Sequence, residues 1–135
     1  MKTFSTTVTL FTEAGSLIKS RLQRALPLSF AQYQTLSFVA QRARPGMQDV
    51  ARHFKITAPS ATFLVDELAR GGLLSRRANR NDRRKIELAL TSKGKGVLRI
   101  CARKREQVLG RMFKVLNEDD RNDLNRVLKK LMTVN

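Results

Sequence analysis

The stretch from residue 47 to residue 90 most limits how this chain can fold. Apolar residues recur at helical spacing from Met47 to Phe54 and again from Thr57 to Arg70. The run Lys55-Ile56-Thr57 indicates a tight turn between them, with Thr57 as a helix N-cap. Gly71-Gly72 ends the second helix, because glycine is favoured just past a helix C-terminus. Two short helices joined by a turn are therefore predicted.

After these helices, the spacing of the apolar residues changes from that of a helix to that of a strand. Residues 73–77 and 85–90 have the spacing of short strands, and the second run places Ile86, Leu88 and Leu90 on one face. Residues 78–84 between them are polar and predict a hairpin loop. The second strand ends at Thr91 or Ser92, either of which can cap a long helix that runs to about Leu116.

Amphipathic helices are predicted on both sides of this region. A helical stripe covers 5–25, and Ser29 with Gln32 forms a capping box for a helix that stops before Arg44-Pro45-Gly46. Asn117 begins a last helix. Its apolar residues, expected to face inward, are Leu124, Val127, Leu128 and Leu131.

The order helix, helix, helix-turn-helix, hairpin, helix, helix predicts a mostly α protein with a small β-hairpin (α+β). The predicted architecture is a winged helix-turn-helix with flanking dimerisation helices. We expect one domain over 1–135, with the winged lobe at about 28–92 and the flanking helices at about 5–26 and 92–133. The flanking apolar stripes exceed what the lobe needs, so self-association is the natural way to bury them.

Charge and cysteine content narrow the partners and the compartment. Lys and Arg number 27 against 11 Asp and Glu, giving a net charge of +16. An excess of this size favours an anionic partner, with nucleic acid ahead of a membrane surface and a plain solvated basic face as the alternative. No apolar run reaches the roughly 20 residues of a membrane span, so no membrane role is expected. Cys101 is the only cysteine, which indicates a reducing compartment, the cytoplasm.

The second helix of the pair is a candidate reader of the DNA major groove. Its N-terminal side chains would reach base edges. Ser60 and Thr62 can hydrogen-bond there, while Pro59 and Phe63 can touch thymine methyl groups or sugars. The alternative is an ordinary helical corner with a solvated polar face.

The hairpin strengthens the DNA hypothesis. It concentrates basic residues next to the candidate reading helix, where they can reach phosphates or a narrow minor groove. These residues are Arg76, Arg77, Arg80, Arg83, Arg84 and Lys85, opposed only by Asp82. Asp82 either pairs with Arg84 and extends it toward a groove or forms a local turn through its side chain.

Three runs make a resemblance specific. Residues 72–77 (GLLSRR), 81–84 (NDRR) and 88–94 (LALTSKG) resemble the signature of the MarR (multiple antibiotic resistance regulator) family, a D-x-R wing followed by an L-T-x-x-G helix start. The element order is similar along nearly the whole chain.

The resemblance implies an obligate homodimer with intertwined terminal helices. It implies that the helix from Thr57 reads the major groove, that Asp82 orients the wing, and that Arg84 enters the minor groove. Two such subunits would bind a pseudo-palindrome with half-sites about one helical turn apart. The DNA-binding set is then Thr57, Pro59, Ser60, Thr62, Phe63, Arg80, Asp82, Arg83, Arg84 and Lys85.

The resemblance also bears on ligand response and oxidant sensing, and the chain departs from the family pattern at three positions. Many members respond to small aromatic molecules in a crevice between the dimerisation helices and the DNA-binding lobe. Oxidant-sensing members use a cysteine near the N-terminus, which this chain lacks; Cys101 is expected to be an inert buried residue. Asn79 and Asn81 stand near positions where acidic residues are usual, so we expect this wing to contribute affinity more than sequence discrimination. Phe63 stands where a basic or polar residue is common, which leaves the base-reading code of the helix open.

Catalysis is not expected. His53 is the only histidine, for which a phosphate contact or a surface role is favoured, and no metal-ligand cluster, phosphate-cradling glycine loop or nucleophile-base pattern occurs, so no cofactor is expected. The sequence therefore predicts a double-stranded DNA-binding transcriptional regulator, a repressor acting as a homodimer and open to a small effector. The alternative is a structural nucleic-acid-binding protein of the chromosome or ribosome; a membrane-surface protein is a weaker third.

Overall fold

The computed structural model describes residues 1–134 and confirms a mostly helical chain with one β-hairpin. The elements in chain order are α1 (Lys2–Ala25), α2 (Phe30–Gln41), α3 (Met47–Phe54), α4 (Ala58–Arg70), β1 (Leu74–Ala78), β2 (Ile86–Leu90), α5 (Ser92–Phe113) and α6 (Glu118–Met132). Among these residues no helix is both long enough and apolar enough to cross a lipid bilayer.

Side-chain caps set the starts of four helices where the sequence predicts them. Ser29 and Gln32 form the predicted capping box at α2, with each side chain accepting a hydrogen bond from the other's backbone N–H. Thr57, Thr91 and Asn117 accept hydrogen bonds from the first turns of α4, α5 and α6. Each cap satisfies an amide that has no partner inside its helix, so the helix start is fixed locally.

The hairpin is antiparallel, and a third segment of the chain pairs with its second strand. Leu74 lies opposite Leu90, and Ala78 lies opposite Ile86. The backbone N–H of Leu88 also donates to the carbonyl of Pro45 at 2.7 Å, and Gly46 forms a bridge with Glu87. The chain just before α3 therefore pairs with β2 and attaches the hairpin to the helices.

Two hydrophobic clusters lie along the chain. The larger one joins α2, α3, α4 and the hairpin; its fully buried side chains include Leu36, Val50, Val65, Leu68 and Leu88. The smaller one joins α1 and α5 through Leu22, Leu26 and Cys101, with Phe30 and Tyr33 of α2 packed against it. Because α2 contributes to both clusters, it links the winged part to the long helices.

The predicted inward stripe of α6 is wrong for the isolated chain. Val127, Leu128 and Leu131 are exposed, and no residue of α6 is buried. Ile86 is also exposed, because it lies at the end of β2 next to the loop and beyond the body of the core. A periodic pattern identifies an apolar face but does not identify what covers it.

The start of α5 is held against the end of α4. The Thr91 backbone N–H donates to the Leu73 carbonyl at 3.1 Å, and its hydroxyl donates to the Gly72 carbonyl at 2.5 Å. The Lys93 ammonium donates to the Gly71 carbonyl at 3.0 Å. Gly94 approaches so closely that a Cβ placed there would lie 2.0 Å from the Leu73 carbonyl oxygen. We call these contacts the α4–α5 joint.

We predict that Gly94→Ala destabilises the protein, because backbone atoms must move to admit the methyl group. The expected loss is about 3 kcal/mol, the upper end of ordinary overpacking. Urea unfolding followed by circular dichroism measures it. Gly96→Ala is the matched control on the same helix, since its Cβ would make only an ordinary contact with Arg99. That variant is expected to gain up to about 1 kcal/mol from helix propensity; equal stability of both variants would contradict the close approach.

Candidate nucleic-acid interface

The N-terminal half of α4 presents the face that the sequence analysis selected. Ala61, Val65 and Leu68 point into the core and fix the rotation of the helix. Exposed residues occupy the opposite face; they are Pro59, Ser60, Thr62 and Phe63. Phe63 is 57% exposed, so its ring is available for contact with a partner.

Hydroxyl groups at the start of α4 already serve the helix. The Thr57 hydroxyl accepts from the Ser60 backbone N–H at 3.3 Å and donates to the Ser60 hydroxyl at 3.0 Å. Thr57 is therefore a cap whose hydrogen bonds are used inside the chain. Ser60 keeps a hydroxyl proton, and the Thr62 side chain is exposed, so these two can form new hydrogen bonds.

The turn between α3 and α4 depends on Lys55. This residue has a φ of 53°, in the left-handed region, and its backbone N–H donates to the Arg52 carbonyl. Ile56 then donates to the Ala51 carbonyl at 3.0 Å and packs partly into the core. The turn thus fixes α4 relative to α3, as the helix-turn-helix spacing predicts.

The wing loop, residues 79–85, is closed by its own hydrogen bonds. The Asn79 backbone N–H donates to the Lys85 carbonyl at 2.9 Å, and the Lys85 N–H donates to the Asp82 carbonyl at 3.0 Å. The Asn79 side-chain oxygen accepts from the backbone N–H groups of Asn81 and Asp82, at 2.8 and 3.1 Å. Its side-chain nitrogen donates to a Glu87 carboxylate oxygen at 2.7 Å. Asn79 therefore connects the loop to β2.

Asp82 acts through the backbone. Its carboxylate accepts from the Arg84 N–H at 3.1 Å, which is a side-chain turn. Within residues 1–134 no ion pair joins Asp82 to Arg84. Of the two roles weighed for Asp82, the structure has the turn-forming one.

Basic side chains of the loop remain exposed and available. They are Arg80, Arg83, Arg84 and Lys85, and in the described part of the chain none lies within ion-pair distance of a carboxylate. Arg76, one strand earlier, instead pairs with Asp66 of α4. Both partners are more than a third exposed, so this pair contributes at most about 1 kcal/mol to stability. Its position still joins α4 directly to the base of the hairpin.

The sequence analysis missed the roles of Asn79, Asp66 and Gly94. An asparagine side chain often accepts hydrogen bonds from backbone N–H groups two or three residues later and so forms a turn. The role of Asn79 could therefore have been predicted from the sequence. The Asp66–Arg76 ion pair could not have been predicted from the sequence, because it depends on how α4 lies against β1. The approach of Gly94 likewise arises only from packing between distant segments.

Other candidate residues have local structural roles. The His53 ring stacks on Phe38 with centroids 4.5 Å apart and is exposed to solvent. Cys101 is fully buried, and this burial raises the pKa of its thiol despite an opposing effect of Lys104. Residues 1–134 contain no group of three or more His, Cys, Asp or Glu side chains arranged to hold a metal ion.

Comparison with known protein sequences gives one consistent result. Residues 26–85 match the sequence model of the MarR family. The chain is 32% identical over 74 residues to the transcriptional repressor MprA of Escherichia coli, covering 55% of this chain and 42% of MprA. It is 40% identical over 63 residues to the HTH-type transcriptional repressor YetL of Bacillus subtilis, covering 47% of this chain and 38% of YetL. The chain thus matches less than half the length of these relatives.

Solved structures have the same fold over almost the whole chain. A MarR family protein from Bacillus stearothermophilus superposes with a TM-score of 0.86 at 18% identity, covering 98% of this chain and 94% of its own. A cysteine-to-serine mutant of MarR from E. coli, complexed with operator DNA, gives 0.78 at 21% identity and covers 91% of each chain. BpsR of Bordetella bronchiseptica, whose DNA binding is regulated by 6-hydroxynicotinic acid, gives 0.78 at 22%, covering 94% of this chain and 93% of its own.

Proposed function

We propose that this chain is a transcriptional regulator of the MarR family that binds double-stranded DNA; the match over residues 26–85 and the shared fold support this proposal. The observation that carries the proposal is the pairing of two exposed features on one rigid lobe. One is the N-terminal face of α4 with Phe63; the other is the ordered wing loop with four exposed basic residues. A helix of this kind fits the major groove, and a basic loop beside it fits the backbone or the minor groove.

The mode of action we infer is repression by occupying an operator. MprA and YetL are transcriptional repressors, and the MarR mutant was solved on operator DNA. These relatives are regulators rather than enzymes, in agreement with the expectation from sequence. Pro59, Ser60, Thr62 and Phe63 would meet base edges, with Thr57 holding the helix start. Arg80, Arg83, Arg84 and Lys85 would meet phosphates or the minor groove, with Asp82 shaping the loop. A cytoplasmic location remains a prediction that suits a DNA partner.

The homodimer is supported by the apolar surface at both ends of the chain. On α1, Phe4, Leu10 and Phe11 are exposed; on α6, Leu128 and Leu131 are exposed. Exposed apolar clusters on two terminal helices are typical of surfaces that bind another protein. A second copy would cover both sets at once and bring two α4 helices to two half-sites about one helical turn apart.

Selection of bound duplexes from a random pool, followed by competition binding, tests the function. A specific regulator is expected to select a pseudo-palindrome and to prefer it over random duplex by about 10³-fold or more. Equal affinity for random duplex, or preference for structured RNA, would instead support the structural nucleic-acid binder.

Arg84→Ala is expected to weaken operator binding. If Arg84 contacts the backbone, the dependence of affinity on salt should fall by about one phosphate equivalent. If it lies in the minor groove, the loss should grow with the A·T content beneath the wing. Arg105→Ala is the matched control, since it removes an exposed charge from α5, away from the wing. Binding that is unchanged on every sequence would remove Arg84 from the interface.

Light scattering at micromolar concentration tests the dimer. The expected mass is twice the 15.3 kDa of one chain. Leu128→Lys with Leu131→Lys should shift the protein to monomer, because each would bury an unpaired charge in the interface. Ile86→Lys, an equally exposed apolar site outside the terminal helices, should remain dimeric. A wild-type monomer with folded α1 and α6 would contradict self-association.

A further inference from the structure

The most basic region of the chain is α5, which the proposed DNA-reading surface does not use. Residues 92–114 contain eight basic residues and one acidic residue, a net charge of +7 out of the +16 of the whole chain. The hairpin, residues 74–90, contains six basic and two acidic residues, a net charge of +4. A DNA duplex held by α4 and the wing would therefore leave the larger basic region without an anionic partner.

Four of the basic residues on α5 form one stripe along its exposed side. All four side chains are exposed; they are Arg99, Arg103, Arg111 and Lys114. With the exposed Gln107 included, successive members are four, four, four and three residues apart, a spacing that keeps them on one side of a helix. At 1.5 Å per residue the stripe is about 22 Å long. We call these five residues the outer α5 stripe.

The opposite side of α5 is packed inside the chain. Val97, Cys101 and Val108 belong to the smaller hydrophobic cluster, which joins α5 to α1. Arg105 is also exposed, but it follows Cys101 by four residues and precedes Val108 by three, so it lies on the packed side of the helix and outside the stripe. The outer α5 stripe therefore points away from the body of the chain.

The charges of the stripe have no counter-charge inside the chain. Among residues 1–134, none of the four basic side chains lies within 4.0 Å of a carboxylate. Arg99 and Arg103 are four residues apart, a spacing at which like charges repel and destabilise a helix. An anionic partner along the stripe would remove this repulsion.

The stripe lies on a different part of the molecule from the reading face of α4. The α5 helix begins at the α4–α5 joint, and the helical rise from Ser60 to Gly71 places this joint about 17 Å along α4 from the reading face. Beyond Leu98, the packed residues of α5 belong to the cluster with α1 and not to the core of the winged lobe. The DNA segment under α4 and the wing therefore does not account for the stripe.

Three other partners fit the stripe less well than duplex DNA. A membrane-bound helix inserts an apolar face, and the apolar side of α5 is already packed inside the chain. Surfaces that bind single-stranded RNA stack bases on exposed aromatic rings, whereas the one aromatic residue of α5, Phe113, is half-buried. A two-fold contact between copies of the chain pairs one patch with itself, which would bring two basic stripes together.

We propose that the outer α5 stripe binds the phosphate backbone of a second DNA duplex, so that a dimer on its operator holds a separate segment of DNA. A duplex segment as long as the stripe carries about 13 phosphate charges on its two strands, enough to pair with all four cations. Such contacts are made to phosphates and carry no sequence information. The bridging of two segments rests on the proposed function; the binding of a duplex by the stripe does not.

Capture of a second duplex tests the bridge. A biotin-tagged duplex that carries the selected operator is saturated with the full-length protein on beads, washed, and incubated with a fluorescent duplex of unrelated sequence. Saturable retention of the fluorescent duplex is expected, and it should fall steeply as salt is raised. No retention at low salt would overturn the proposal. Preferential retention of double-stranded RNA, or of phosphatidylserine vesicles, would overturn the assignment to DNA.

Paired charge removals separate the stripe from general attraction. Arg103→Gln with Arg111→Gln should abolish most of the capture, because both residues belong to the stripe, and should leave the affinity for the operator nearly unchanged. Arg21→Gln with Arg105→Gln removes the same charge from exposed positions outside the stripe and should capture the second duplex as the wild type does. Equal loss of capture in both variants would mean diffuse attraction and would overturn the stripe.

A protein with a disabled wing separates this proposal from the proposed function. The triple variant Arg80→Gln, Arg83→Gln and Arg84→Gln should still bind random duplex through the stripe. Adding Arg103→Gln and Arg111→Gln should then remove most of the remaining affinity and lower its salt dependence by about two phosphate equivalents per chain. Unchanged affinity would overturn the stripe even if the wild type selects an operator. Failure to select an operator, with this loss still observed, would instead overturn the proposed function alone.

Discussion

The α4–α5 joint is the contact on which the arrangement of the other elements depends. The carbonyl groups of Gly71, Gly72 and Leu73, which follow α4, are bound by Thr91 and Lys93 of the α5 start. One short stretch of backbone thus ends the exposed helix, begins the hairpin and receives the long helix. Because Gly94 lets α5 approach to contact distance, these elements form one body.

Local chemistry explains which parts of the fold the sequence predicts. Ser29, Thr57, Thr91 and Asn117 all cap helices as expected, because a cap needs only its own side chain and the next three residues. Contacts between distant segments were not predictable. The pairing of the Pro45 carbonyl with Leu88 has no marker at either position. The α6 stripe was predicted correctly as apolar, but the prediction that it is buried is wrong for the single chain, in which Val127, Leu128 and Leu131 are exposed.

The candidate interface also has one part that the sequence predicts and one part that it does not. The exposed face of α4 follows from helical period, since fixing Ala61, Val65 and Leu68 inward leaves Ser60, Thr62 and Phe63 outward. The order of the wing loop does not follow from composition, which describes only a polar run rich in arginine. Its order comes from Asn79, whose side chain serves two loop amides and Glu87 together. The two asparagines that stand where the resemblance leads one to expect acidic residues therefore differ: Asn79 organises the loop, whereas Asn81 is exposed within it.

This order changes what the wing can contribute on DNA. A floppy basic loop gains phosphate attraction but loses conformational entropy when it binds, which favours affinity without selectivity. A loop already closed by Asn79 and Asp82 loses less, and it presents Arg80, Arg83 and Arg84 from fixed backbone positions. Fixed positions let the width of a minor groove affect the binding energy, so groove shape becomes readable. Under the proposed function, such a loop would contribute more shape discrimination than its charge alone indicates.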